Sequence, residues 1–249
     1  MPSNLLPIPA QERILVSLAT YNERDNLPGL MQEIRHHCPG GDILIVDDAS
    51  PDGTGRLADA LAHADPSIHV LHRPGKLGLG SAIVTGMRFA IERGYDLFVS
   101  MDADFSHHPR YLPALLAGME QHDLMIGSRY VPGGGTVDWP WQRRLMSMAI
   151  NLLVRFLFRV PVRDASGGYR CYRVAALGSA GLIDQVSTGY SFQEEILHRC
   201  CRAGLRLGET PILFEDRRAG SSKLGVKEMV LSSLTLVWLG WRAFAGIDS

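Results

Sequence analysis

Short apolar runs alternate with segments of helical periodicity from residue 14 to residue 126, and this constrains the fold more than any other feature. Residues 14–19, 43–46, 68–71, 97–101 and 124–126 are strand-length and continuously apolar or nearly so. Residues 26–37, 54–63, 79–93 and 109–121 between them carry apolar side chains at helical spacing. Strands covered on both faces lose the polar/apolar alternation of a half-exposed sheet, and strands alternating with amphipathic helices are βαβ units. The expectation is an α/β fold: a mostly parallel sheet with helices on both faces. The pattern changes after residue 128. A glycine-rich loop at 131–139 precedes a helix at 141–159, a strand at 169–173, a helix at 191–203, a strand at 206–214, a basic loop at 216–223 and a last helix at 225–245. With no Ser- or Pro-rich linker and no internal repeat, residues 1–249 read as one domain with a C-terminal helical elaboration.

Composition narrows the class. Of 249 residues, 46% are hydrophobic and 20% charged, which excludes a disordered chain. Cys38, Cys171, Cys200 and Cys201 form no C-x-x-C pair and have no histidine at zinc spacing, so reduced thiols in a cytoplasmic protein are expected. Residues 1–12 have no basic start and no long apolar run, which argues against a secretory signal. The uncharged apolar stretch at 229–241 is 13 residues long, against about 20 for a spanning helix, so the chain is not expected to cross a bilayer by itself. The net charge of −1 divides unevenly, −7 over residues 1–128 and +6 over 129–249. An acidic half suits a metal site, and a basic half suits anionic ligands or an anionic surface.

In open α/β sheets, ligands bind beyond the carboxyl ends of the strands. Polar residues collect at those ends: Tyr21-Asn22-Glu23, Asp47-Asp48, and Asp102 with Asp104. On extended chain, residues i and i+2 share a side about 6.6 Å apart. Two carboxylates that close repel unless a cation is near, and Mg²⁺ or Mn²⁺ takes one or two carboxylates plus substrate phosphates. Asp102-Ala103-Asp104 is therefore a candidate metal–diphosphate anchor. Asp52 and Thr54 read as helix-capping residues, whereas Asp47 and Asp48 directly follow a buried strand and suit a ring N–H or sugar hydroxyls. Residues 75–81 do not fit the phosphate-loop pattern and read as a glycine turn at a helix start. Arg129 and the basic run Arg217-Arg218…Lys223 suit phosphate oxygens. The helix at 142–160 is apolar around most of its circumference, with Arg143, Ser147, Asn151, Arg155 and Arg159 on one stripe. Such a helix is buried, packed on a second copy, or lies at a membrane with its cationic stripe toward headgroups.

These stretches, taken in order, resemble family 2 glycosyltransferases of the GT-A fold: residues 19–23, 47–54, Asp102-Ala103-Asp104-Phe105-Ser106-His107-His108-Pro109, and Gly127-Ser128-Arg129-Tyr130. Trp139-Pro140 with Arg143 and Ser147, the 164–170 loop, and Gly220-Ser221-Ser222-Lys223 narrow the resemblance to enzymes that make dolichyl- or polyprenyl-phosphate mannose. It covers about residues 12–228. It implies that residues 12–128 form the nucleotide-sugar half, with Ala19, Tyr21, Glu23, Val46 and Asp48 holding base and ribose and Ala103 near the ribose. Asp102 and Asp104 are then the ligands of Mg²⁺ or Mn²⁺, and Ser106 stands where some members have a glutamine ligand. Arg129, Arg143, Arg217 and Lys223 contact donor or acceptor phosphates. In the acceptor half, 129–249, Ser147 and the loop from Asp164 to Arg170 receive the acceptor. Two departures stand out: Ala19 replaces the family's usual proline, and the second glycine of Asp164-Ala165-Ser166-Gly167-Gly168-Tyr169-Arg170 suggests a more mobile loop.

The implied activity is metal-dependent, inverting transfer of mannose from GDP-mannose to a polyprenyl or dolichyl monophosphate, peripheral on the cytoplasmic face of a membrane and with no nucleic-acid partner. A UDP-sugar donor for the same reaction is the alternative. A dimer through the apolar helices and a separate membrane-anchor subunit both stay open. A non-catalytic membrane-associated protein is disfavoured by the intact D-x-D and basic loop. A dinucleotide-binding oxidoreductase is disfavoured because Ala19-Thr20-Tyr21-Asn22 stands where G-x-G-x-x-G would be.

Overall fold

The computed structural model describes residues 12–179, 182–183 and 192–215. Its elements run β1 (Ile14–Thr20), α1 (Leu27–His37), β2 (Asp42–Asp47), α2 (Thr54–Ala64), β3 (Ile68–His72), α3 (Leu79–Glu92), β4 (Leu97–Asp102), α4 (Leu112–Gly118), β5 (Leu124–Ser128), β6 (Gly135–Thr136), α5 (Trp141–Phe158), β7 (Arg170–Arg173), α6 (Val174–Ser179), α7 (Phe192–Arg202), β8 (Leu207–Pro211) and β9 (Leu213–Phe214). The expected basic loop at 216–223, with Arg217 and Lys223, and the expected last helix at 225–245 lie outside the described residues.

Seven strands form one sheet in the order β3-β2-β1-β4-β7-β5-β8. Pairing is parallel along β3-β2-β1-β4 and between β5 and β8, while β7 is antiparallel to both its neighbours. The mostly parallel sheet is as expected, and the apolar strand runs follow from its two covered faces. Leu15, Leu44, Val46, Phe98 and Ile126 pack on one side with Ile83 and Met87 of α3, Val154 and Phe158 of α5, and Ile196 of α7. Val16, Leu18, Ile43, Ile45 and Val99 pack on the other with Leu27, Leu30 and Ile34 of α1 and Leu112 and Leu115 of α4. Successive strand residues thus serve opposite cores.

Four elements differ from the sequence pattern, one of them α6, a six-residue helix directly after β7 where none is expected. The helix expected at 109–121 is a 3₁₀ turn at Pro109–Tyr111 followed by α4, because Pro109 and Pro113 each favour a first helical turn. The strand expected at 206–214 splits at Pro211, which has no N–H to give the ladder. Its second part, β9, pairs with β6 inside the expected loop.

Candidate active site

The register of the central strands places Ala19, Val46 and Asp102 in one row, with Tyr21, Glu23, Asp48 and Ala103 in the segments just beyond the strand ends. Ala19 lies opposite Val46 on β2 and opposite Asp102 on β4, and Thr20 lies opposite Asp47. With strands about 4.8 Å apart, Val46 and Asp102 are about 10 Å apart across Ala19. Just beyond this row, three non-glycine residues have left-handed backbone: Asn22 (φ 60°), Ala49 (φ 53°) and Phe105 (φ 66°). Each turns the chain sharply after its strand. Such conformations persist where surrounding contacts hold them and gather at functional sites.

Those contacts are visible. Asp47 is buried and accepts from Thr20 Oγ1 (3.1 Å), Ser50 Oγ (2.6 Å) and Ser50 N (3.1 Å). Asn22 N donates to Ser50 Oγ and Glu23 N to Thr54 Oγ1, each at 3.0 Å, which ties the loop after β1 to the loop after β2. The N-cap position of α2 is Gly53, at φ 91°, but the capping expected of Asp52 is present one residue earlier, where its Oδ1 accepts from Thr54 N at 2.9 Å and from Thr54 Oγ1 at 2.6 Å; Thr54 is the first helical residue. Asp48, also buried, pairs with Arg73 and accepts from Leu77 N at 3.2 Å. It thereby fixes the turn before α3. The two adjacent carboxylates therefore brace different loops. Glu23 accepts from Asn26 Nδ2 at 2.8 Å, and the Lys76 ammonium lies 4.9 Å from the centre of the Tyr21 ring.

Around the D-x-D, Asp102 closes β4 with its carboxylate about a third exposed, while Ala103 and Asp104 are buried. Asp104 Oδ1 accepts from Ser106 N at 3.0 Å, so Ser106, itself buried, contributes its backbone to the loop. His107 Nδ1 accepts from Asp102 N at 3.0 Å. The imidazole stacks on Tyr169 (5.0 Å between ring centres) and meets Phe214 edge-on (5.5 Å). His107 thus braces the D-x-D, a role that the sequence pattern alone did not assign.

On the other side, Arg129 forms a bidentate pair with Asp164, Nε to Oδ2 and Nη2 to Oδ1 each at 2.7 Å, and Nη2 also reaches Ser166 Oγ at 2.9 Å. Asp164 is fully buried. Burial alone would raise its pKa, but the Arg129 charge and hydrogen bonds outweigh burial and hold the carboxyl below its ordinary value. Arg170, likewise fully buried, donates to the carbonyls of Gly167 (2.8 Å), Gln193 (2.8 Å) and Ala165 (2.7 Å). Asp164 and Arg170 therefore hold the 164–170 loop from beneath. Asn151 Oδ1 accepts from Ala165 N (2.7 Å) and Ser166 N (3.2 Å), and Glu209 accepts from Arg163 N and Asp164 N. A Cβ at Gly167 would stand 3.2 Å from the Asp164 carboxyl, tighter than an ordinary contact, whereas one at Gly168 would stand 3.4 Å from the Gln193 amide, an ordinary contact, so close packing accounts for Gly167.

α5 supplies the remaining wall, and it corrects the expected cationic stripe. Asn151, Val154 and Phe158 are buried and Arg143 and Ser147 half-buried, so the first three members of the polar stripe face the protein. Arg155 and Arg159 are exposed. The solvent side is apolar: Trp141, Leu145, Met148, Leu152 (65%) and Phe156 (80%) stand exposed. Ser147 Oγ accepts from the Tyr130 hydroxyl at 2.7 Å. The Arg143 guanidinium stacks 3.9 Å from the centre of the Trp139 ring, Trp139 meets Phe214 edge-on at 5.4 Å, and Arg129 lies 5.5 Å from Trp139 and 5.7 Å from Phe214. One aromatic ladder thus joins both arginines to His107 and so to Asp102. Phe214 carried no recognisable signal, because only the short β6–β9 pairing brings it here.

A strand-end row, a buttressed D-x-D and an arginine wall have a chemistry that suits an anionic, phosphate-bearing molecule. The sequence profile of glycosyl transferase family 2 matches residues 16–180, more than half of the chain. The chain belongs to glycosyl transferase family 2. This family 2 glycosyltransferase is 45% identical over 242 residues to the undecaprenyl-phosphate mannosyltransferase of Micrococcus luteus, covering 94% of this chain and 100% of that one. It is 47% identical over 215 residues to the polyprenol monophosphomannose synthase of Mycolicibacterium smegmatis, covering 86% and 81%. Among solved structures, it shares its fold with glucosyl-3-phosphoglycerate synthase of Mycobacterium tuberculosis, crystallised with Mn²⁺, UDP and glucosyl-3-phosphoglycerate (TM-score 0.66, 19% identity, 95% of this chain and 81% of that one). It also resembles a mannosyltransferase of Pyrobaculum calidifontis in complex with GDP-Man and Mn²⁺ (TM-score 0.60, 17% identity, 100% and 68%). The GT-A architecture expected from the sequence is thereby shown.

The donor set of this glycosyltransferase fits a hard divalent cation. Asp102 and Asp104 bring oxygen donors to one turn, and no group of three or more His, Cys, Asp or Glu side chains gathers among the described residues to form a full protein cage. Two carboxylates with the other positions left to phosphates and water is a set that Mg²⁺ and Mn²⁺ accept. All four cysteines are free thiols. No helix among the described residues is long and apolar enough to cross a membrane.

Proposed function

We propose that this enzyme transfers mannose from GDP-mannose to a polyprenyl monophosphate of the dolichyl or undecaprenyl type, with inversion at the anomeric carbon. The observation that carries this reading is the near-full-length similarity to two proteins named for mannose and a polyprenyl phosphate. The site's chemistry supports it.

In this reading the strand-end segments that carry Ala19, Tyr21, Glu23 and Ala103 receive the nucleoside, with Val46 contributing from the core and Asp48 through the turn it fixes with Arg73 and Leu77 N, and Asp102 and Asp104 would hold Mg²⁺ or Mn²⁺. When bound, that cation neutralises charge on the departing diphosphate. A phosphate oxygen of the acceptor bonds to C1 of the sugar, the C1–O bond to the diphosphate breaks on the opposite face, and GDP leaves with the bonding pair. A phosphate monoester is already anionic near neutral pH, its second pKa being about 6, so no side chain has to remove a proton. The protein's task is to hold two anions together. Arg143, stacked on Trp139, supplies positive charge for this, and Arg129, whose charge Asp164 balances, adds N–H donors held in place at little reorganisation cost. Ser147 and the braced 164–170 loop position the acceptor, and Arg217 and Lys223 add phosphate contacts. The exposed apolar side of α5 lies in the interface of the cytoplasmic leaflet, where the lipid tail of the acceptor resides.

Calorimetric titration of GDP and UDP, each with and without Mn²⁺, tests the reading. Binding of GDP that needs Mn²⁺ and is lost in Asp102→Ala, with the melting temperature retained, supports donor and metal site together. Preference for UDP moves the donor to a UDP-sugar, and no binding of either nucleotide removes the transfer reading.

A further inference from the structure

A groove of about 430 Å³ runs along α5 beside Tyr130, lined by Tyr130, Met148, Asn151, Leu152, Arg155 and Arg163. Its walls are of two kinds. Met148 and Leu152 belong to the exposed apolar side of α5, so the groove opens onto the surface assigned above to the membrane interface. Arg155 and Arg163 are exposed, and neither guanidinium has an acidic partner among the described residues. Residues 139–163 contain five arginines and no Asp or Glu; of the acidic groups beside Arg163, Glu209 is bonded to the backbone N–H groups of Arg163 and Asp164, and Asp164 is paired with Arg129. Two unneutralised guanidiniums beside an apolar trough match an amphiphile with an anionic head and a hydrocarbon tail. Arginine is suited to the head because its planar fork matches phosphate oxygens.

We propose that this groove binds the phosphate headgroup of an anionic bilayer phospholipid, separately from the acceptor's phosphate at Arg129 and Arg143. Neither Arg129 nor Arg143 lines the groove; Tyr130, which does, bonds Ser147 and carries the Arg129 guanidinium 5.3 Å from its ring centre. The inner wall of the groove is Asn151, which holds the acceptor loop through Ala165 N and Ser166 N. A lipid seated here therefore rests against the residue that fixes that loop. The inference rests on the membrane-facing reading of α5 and needs neither donor nor acceptor.

Co-sedimentation of the full chain with vesicles tests it, using phosphatidylcholine alone and phosphatidylcholine mixed with phosphatidylglycerol, without nucleotide or polyprenyl phosphate. Partition onto the anionic vesicles is expected to exceed that onto neutral ones. The double variant Arg155→Gln/Arg163→Gln should lose most of the difference, about thirty-fold for two arginines at an anionic surface, and keep its binding to neutral vesicles. The double variant Arg144→Gln/Arg159→Gln removes the same charge from exposed positions outside the groove and should lose clearly less. Equal losses in the two variants would mean diffuse attraction and overturn the groove. Equal binding of the wild type to both kinds of vesicle would also overturn it while leaving the apolar membrane contact standing. Competition by millimolar inorganic phosphate as effective as that by added anionic vesicles would reassign the arginines to a free-phosphate site. No binding to any vesicle would remove the membrane reading itself.

Discussion

The backbone N–H of Asp102 donates to Nδ1 of His107 across 3.0 Å, beneath the carboxylate proposed to hold the metal. A nitrogen that accepts carries no hydrogen, so this contact requires the tautomer protonated on Nε2. The imidazole is itself clamped between Tyr169 and Phe214. The orientation of the D-x-D is thus set through backbone as well as side chains. His107→Ala should destabilise the fold by about 2 kcal/mol, through a cavity and an unpaired N–H, and weaken Mn²⁺ binding. His107→Asn, whose amide oxygen can accept, should recover part of both. Thermal unfolding and Mn²⁺ calorimetry on the two variants check this, and equal losses in both would show that the hydrogen bond is not the cause.

Asp164 and Arg129 form a buried bidentate pair. Asp164→Asn preserves shape but leaves a buried guanidinium without its counter-charge, an expected loss of about 3 kcal/mol measurable by urea denaturation. Because the folded carboxyl titrates below its ordinary value, the pair's contribution is complete above about pH 4 and disappears as pH falls through the lower folded value. The difference between wild type and Asp164→Asn should therefore shrink in acid.

Glu194, near the start of α7, is buried with Oε2 unpartnered, and burial is the main cause raising its carboxyl to about 7. The fold then holds a proton that the unfolded chain releases near its ordinary pKa. Stability from this group is complete below about pH 4.3 and declines as pH rises through about 7. Glu194→Gln, a neutral mimic of the protonated form, should raise the melting temperature at pH 8 and change it little at pH 4. A melt series over this range decides, and a gain that does not vary with pH would contradict the assignment.

Leu152 and Phe156 stand exposed on the apolar side of α5. Replacing both by serine should leave stability within about 0.5 kcal/mol, since neither is packed in the core, and should lower binding to neutral vesicles by at least ten-fold (roughly 1.5 kcal/mol or more for each side chain withdrawn from water). Vesicle co-sedimentation beside a denaturation curve separates the two effects.

Much of this enzyme was legible in its residues. The doubly covered strands, the helices between them and the carboxylates at the strand ends follow from apolar periodicity and from the need of a parallel sheet for helices on both faces. Asp102, Asp104, Asp48 and Arg129 stood out in the sequence as charged side chains at or just after buried strands, yet Asp48 and Arg129 are held in buried ion pairs with Arg73 and Asp164. What those side chains touch was not legible. Asp47 and Asp48 are adjacent and chemically identical, yet one braces the turn at Ser50 and the other pairs with Arg73. Asp164 and Arg170 matched an acceptor loop, but each is buried as its support.

α5 marks the boundary most clearly. The chain by itself determined that this segment is helical and that Arg143, Ser147 and Asn151 share a stripe, because a 3.6-residue turn fixes which side chains align. It did not determine which side faces inward, since a helix that is apolar around most of its circumference can dock by either face at similar local cost. Tertiary structure decided that question. The 164–170 loop offers backbone N–H groups that only Asn151 on this helix satisfies, and Tyr130 meets Ser147, so the polar stripe turns inward and the apolar side is left exposed. The position of Phe214, and with it the aromatic ladder between His107 and the two arginines, likewise arose from a two-residue pairing between segments far apart in the chain, which local periodicity does not encode.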